Sequence, residues 1–153
     1  MEDDYALSFE PFTQSRTSSS TFTGTATTII NSITTSTWSP ERSDTMVRVT
    51  VSAQIAVERY QNSEALRHGE VWLTVGTSVI SERAGGGVNL PDISTLRSEV
   101  FNVICTVHLD AIVASSDWDV LRLRGTNNSA NVRTVVQDIQ WIVQEFKPAG
   151  ENL

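Results

Sequence analysis

Histidine, cysteine, carboxylate and tryptophan are the side chains of this 153-residue chain whose types could support chemistry. His68 and His108 stand alone, without His-x-His or His-Glu-x-x-His spacing, and read as surface histidines, not metal ligands. Cys105 is the single cysteine, so an internal disulfide is ruled out. Val103 and Val107 share its strand face, which makes it a small buried hydrophobe with no base nearby to activate its thiol. Asp117 and Asp119, two residues apart, fall on one face of a strand, with Asp110 as a third carboxylate. A calcium site or an acid/base pair would use such spacing, and a solvated strand entry would show it equally. The serines lack a Gly-x-Ser-x-Gly elbow. Gly85-Gly86-Gly87 lacks the Lys and Ser/Thr of a phosphate-binding loop, and no helix follows it. No catalytic residue, metal or cofactor is assigned, and the chain is expected not to be an enzyme.

Binding is the other chemistry on offer. Four tryptophans are present. Trp141 falls in register with core residues, whereas Trp38 and Trp118 lie near strand ends, where an indole face suits the apolar face of a sugar. With Asn127 and Asn128 of the adjacent polar loop they form a candidate ligand contact for a cell-surface glycan.

The elements that would position these groups are strands. From Met46 to Glu58, Val47, Val49, Val51, Ala53, Ile55 and Val57 alternate with mostly polar residues, the period of a strand with one buried and one wet face. After a polar turn over 61–69, a second alternating strand carries Val71, Leu73, Val75 and Val79 inward, with Trp72 and Ile80 on its opposite face. A glycine-containing loop spans 81–95. Long strands follow over 96–113 and 131–146, with Trp118 to Arg124 between them and a loop at Gly125–Ser129. In the last strand Val135, Ile139, Trp141 and Val143 are placed on one face and Val136, Ile142 and Phe146 on the other. No amphipathic helix appears, so the expected fold is an antiparallel β-sandwich, jelly-roll-like, over residues 24–147. Residues 1–23, rich in Ser and Thr, read as an extended arm, with a first strand over about 24–38 and a tail at 148–153. Trp72, Ile80, Val100, Ile104, Ile112 and Ile142 fall on wet faces, where they form a candidate subunit interface of a homo-oligomer.

A net charge of −7 argues against nucleic acid and anionic membrane as partners. The acidic start, Met1 to Tyr5, has no signal-peptide pattern, and no apolar run is long enough for a membrane-spanning helix. Synthesis in a cytoplasm is therefore expected.

The run Asp117-Trp118-Asp119-Val120-Leu121-Arg122-Leu123-Arg124-Gly125-Thr126-Asn127-Asn128, followed by Val135 to Phe146, resembles the closing hairpin of trimeric jelly-roll heads on bacteriophage virions. These heads are tumour-necrosis-factor-like or adenovirus-knob-like. Val47 to Val57 and Glu70 to Glu82 are similar to the family's earlier strands, so the resemblance covers about residues 25 to 147. It implies a virion protein, such as a capsid decoration, spike or fibre-head protein, that forms a homotrimer. Instead of a collagen-like or coiled shaft, this chain has its Ser/Thr-rich segment. Residues 1–45 are accordingly expected to dock on other virion proteins. The alternatives are a carbohydrate- or receptor-binding module and a main capsid jelly roll. The latter is disfavoured because coats that package RNA carry basic arms.

Overall fold

The structure, a computed structural model, describes residues 9–59, 66–89, 102–130 and 132–147. Residues 1–8 of the expected arm, residues 90–101 including Val100, and the 148–153 tail lie outside them. Ten strands are described: β1 (Phe12–Arg16), β2 (Ser20–Thr23), β3 (Thr28–Ile33), β4 (Met46–Arg59), β5 (Leu66–Val75), β6 (Ser78–Val79), β7 (Ala84–Asn89), β8 (Asn102–Ala114), β9 (Leu121–Asn127) and β10 (Val132–Phe146). Sheet A runs β1-β10-β4-β8, with β2 also on β10, and sheet B runs β3-β9-β5-β6, with β7 also on β5. All pairings are antiparallel. Apart from the local β5-β6-β7 hairpins, the chain changes sheet at each connection from β2 onward. That wrapping is a jelly roll, and the protein is an all-β antiparallel sandwich.

The alternation in β4 does what its period requires. Val47, Val49, Val51, Ala53, Ile55 and Val57 are all buried, facing Val71, Leu73 and Val75 of β5 and Leu121 and Leu123 of β9 within one core. Trp141 sits at its centre, its indole N–H without a hydrogen-bond partner. Burying an indole of roughly 200 Å² contributes about 5 kcal/mol, more than the about 1–3 kcal/mol that an unmet donor costs.

Five expectations are corrected. Residues 12–16 and 20–23, placed in an arm, are edge strands on β10, their β-branched threonines satisfied by pairing with their own domain. The glycine loop is largely strand β7, with Gly85 and Gly86 opposite Glu70 and Gly69 of β5. Glycine is needed there for closeness: a Cβ on Gly86 would come within 2.7 Å of Cys105 Sγ, and one on Gly85 would strike the Gly69 carbonyl. Gly125 to Asn127, placed in a loop, continue β9. In β10 a bulge between Gln137 and Gln140, with Asp138 at φ 54°, inserts one residue and reverses the facing of everything before it. Val136 is therefore inside and Val135 half-exposed outside, opposite to the expected placement. A similar reversal follows the Gly76-Thr77 turn, whose first residue has φ 60°, and it turns Val79 outward.

Candidate functional site

Of the expected interface residues, Ile104, Ile112 and Ile142 are exposed by 62%, 56% and 48%. All three point from the outer face of sheet A. Register rows place Ile104 beside Ala56 and Val135 at one end, with Arg48–Ile112 and Ile142–Thr50 at the other. At the Ile104 end a hollow of about 220 Å³ is lined by Gln54, Ala56, Glu58, Ile104, Val135 and Gln137. The charges on this face cancel in pairs. Arg48 grips Asp110 through two hydrogen bonds of 3.0 and 2.7 Å, and Arg133 pairs with Glu58.

The Arg48 hydrogen bonds hold the Asp110 carboxyl below the usual carboxylate range. A depressed pKa adds stability that is present at neutral pH and is lost as pH falls through the folded-state value. Arg48→Ala is therefore expected to move the Asp110 midpoint upward in an NMR titration. An unchanged midpoint would show that the pair does not form.

Trp72 and Ile80 leave this group. Trp72 is on an outer face, that of sheet B, yet only 4% exposed, because the Arg83 guanidinium lies 4.0 Å from its ring centroid. Ile80 is half-buried and packs against the core.

The expected ligand contacts do not converge either. Trp38 and Trp118 meet edge to face, 5.1 Å between centroids, at the end of the sandwich where β9 starts. Asn127 lies at the other end of β9, about 20 Å away by strand rise. Its amide donates to the Phe22 and Gly24 carbonyls at 3.1 and 3.2 Å and accepts from Thr134 Oγ1 at 2.5 Å, all in the interior. Asn128 braces the start of β5, exchanging hydrogen bonds with the His68 backbone. Asn127→Ala is accordingly expected to cost about 2–3 kcal/mol of stability, because Phe22 O and Thr134 Oγ1 lose this partner, while the Gly24 carbonyl keeps the residue-127 backbone N–H. A urea midpoint equal to the parent's would overturn this structural role.

Asp117, Asp119 and Asp110 also separate. Asp117 is in a 3-10 turn (Ser115–Asp117), Asp119 accepts from the Val120 N–H at 2.7 Å, and Asp110 is held by Arg48 on the outer face of sheet A. No cluster of three metal-ligating side chains occurs among the described residues. Burial raises the Cys105 thiol pKa, which suits a packing role.

One feature of this pole gives no signal in the sequence. Glu145 is 2% exposed, facing inward one register step beyond Val143. Its carboxylate accepts from the backbone N–H of Glu41 at 2.7 Å and of Arg42 at 3.1 Å, and from Thr45 Oγ1 at 2.5 Å. Thr45 in turn meets Ser115 Oγ at 2.6 Å. This network pins the β3–β4 connection and shapes two adjoining clefts. One, of about 270 Å³, is lined by Phe9, Glu10, Trp38, Glu41 and Glu145. The other, of about 470 Å³, includes Trp118, Pro40 and Ser115.

No protein-family model matches the chain, and no curated protein matches it in sequence. Several solved structures are distantly similar to it. Dimeric latent PorU from Porphyromonas gingivalis is 11% identical with a TM-score of 0.49, over 92% of this chain and 13% of that one. The infectious bursal disease virus Gt strain structure is 9% identical with a TM-score of 0.42, over 94% and 35%. A pentameric capsid protein from metagenomic phage sequences is 16% identical with a TM-score of 0.37, over 90% and 65%. The chain thus spans 13% to 65% of the length of these neighbours. At such identities and TM-scores these likenesses assign no activity, and the fold rests on the sheet pairings above.

Proposed function

We propose that this chain is a non-enzymatic structural protein of a virion surface, of a bacterial virus, made in the host cytoplasm and acting through homo-oligomeric assembly. A trimer is the favoured assembly, in keeping with the family its strands resemble. The observation that carries the reading is the outer face of sheet A: three exposed isoleucines, a shallow hollow, and ion pairs that already neutralise one another. The Arg48–Asp110 and Arg133–Glu58 pairs would enter a contact already matched, so covering them strands neither charge, and the gain comes from burying the isoleucines. Docking on other virion proteins, assigned to residues 1–45, falls among the described residues to the exposed Thr34–Thr37 turn, since Phe12–Arg16 and Ser20–Thr23 are already paired. Mass spectrometry and labelled imaging of purified particles from the source test this role. Stoichiometric presence on the particle surface is expected, and absence from particles rules the role out.

A glycan-binding reading draws on one specific observation, the cleft in which Trp38 stands with Glu10 and Glu41. Asn127 and Asn128 take no part in it. On this reading Trp38→Ala abolishes binding on a glycan array while leaving the native mass unchanged, whereas Asn128→Ala leaves binding intact. Equal binding by the Trp38 variant removes the reading.

A further inference from the structure

We infer that the outer face of sheet B is a docking surface for an acidic polypeptide segment. The inference does not depend on the virion reading or on the sheet A contact. On a chain of net charge −7, this face gathers Arg83, Arg122 and Arg124. Arg83 is matched by Glu70. Arg122 and Arg124 form no ion pair with any carboxylate among the described residues.

Both are instead held by neutral oxygens. Arg122 Nη1 donates to the Gly76 carbonyl at 3.5 Å, and Arg124 Nη2 donates to the same oxygen at 3.3 Å. Arg124 Nε donates to Thr74 Oγ1 at 2.8 Å. Two guanidinium groups thus converge on one carbonyl, Arg124 held by two hydrogen bonds and Arg122 by one long one, with most of their donors uncommitted. Arginines that only solubilise a surface gain nothing from being anchored beside one another against mutual repulsion. Arginines that grip carboxylates gain preorganisation.

The surroundings choose between anionic partners. Exposed Ile29 lies in the Arg124–Trp72 row, and exposed Val79 lies in the Arg122–Thr74 row. Cationic and apolar side chains therefore stand side by side across the face, which matches a segment carrying both carboxylates and apolar groups. A phosphate has no use for the apolar flanks. An acidic polysaccharide would want an open aromatic face, and the Trp72 indole is covered by Arg83.

The test titrates the full chain against a short fluorescein-labelled peptide of alternating glutamate and leucine, read by anisotropy at low and high salt. Binding at low salt is expected, weakened about tenfold or more in Arg122→Gln/Arg124→Gln and severalfold in Ile29→Ser. Should the double variant fold poorly, Arg122→Gln alone, which gives up one long hydrogen bond, carries the reading. Absence of binding at low salt, or binding that the glutamine variants leave unchanged, overturns the inference. So does displacement of the peptide by polygalacturonate or inorganic phosphate with Ile29→Ser without effect, which would make the face a general anion site. Because a monomer binds the peptide as well as an oligomer does, this outcome is separable from that of the assembly proposal.

Discussion

Replacing Glu145 by alanine is expected to cost the fold about 3–4 kcal/mol and to release the connection between β3 and β4. Three donors converge on this carboxylate: the Glu41 and Arg42 amides and the Thr45 hydroxyl. Hydrogen bonds to an ionised acceptor are about twice as strong as neutral ones, and each stranded donor that stays buried costs about 1–3 kcal/mol. The two amides can turn to water if the connection opens, which keeps the total below the simple sum. Glu145→Gln, which retains one acceptor oxygen, should lose about half as much. Urea midpoints give the magnitude, and hydrogen exchange gives the location: the Glu41 and Arg42 amides should lose protection first while Val49 and Val51 in β4 keep theirs. If the alanine variant matches the parent in both, the carboxylate does not pin the β3–β4 connection.

The second large effect is on assembly. Ile142→Arg and Ile112→Arg place a charge at the end of the sheet A face where the two isoleucines stand, both about half exposed in the single chain. A substitution at such a site changes monomer stability by about 0.5 kcal/mol or less. Buried against another subunit, however, an unpaired arginine costs several kcal/mol, enough to shift a dissociation constant by a factor of about a hundred or more. Each variant is therefore expected to remain folded by circular dichroism and to run as a monomer by light scattering. Val79→Arg, equally exposed but on sheet B, should leave the assembly intact. Dissociation by Val79→Arg and not by Ile142→Arg would move the contact to the other face.

These effects differ in how far the sequence foretells them. The core strand β4 and the outward facing of Ile104, Ile112 and Ile142 follow from period-two alternation, which registers face directly. Val135 and Val136 do not, because one bulge residue at Asp138 shifts the phase while leaving the alternation intact on either side. Trp72 is on an outer face as its position requires, but the arginine that covers it comes from beyond the next turn. The glycines of β7 read as a breaker because glycine usually is one, whereas here they let two backbones and a sulfur approach closely. Asn127 carries turn chemistry in its side chain and uses it inside, on carbonyls of β2 and the turn after it. Glu145 is invisible in the same way: its partners are backbone amides about a hundred residues earlier, and no pattern of side chains records them.

Further copies of the chain are expected to cover the outer face of sheet A. The native mass of the full chain at micromolar concentration reads this out. A multiple of the 16.8 kDa chain mass, three for the favoured trimer, is the predicted result, falling to a single chain on Ile142→Arg. A parent protein that stays at one chain mass across all concentrations contradicts it.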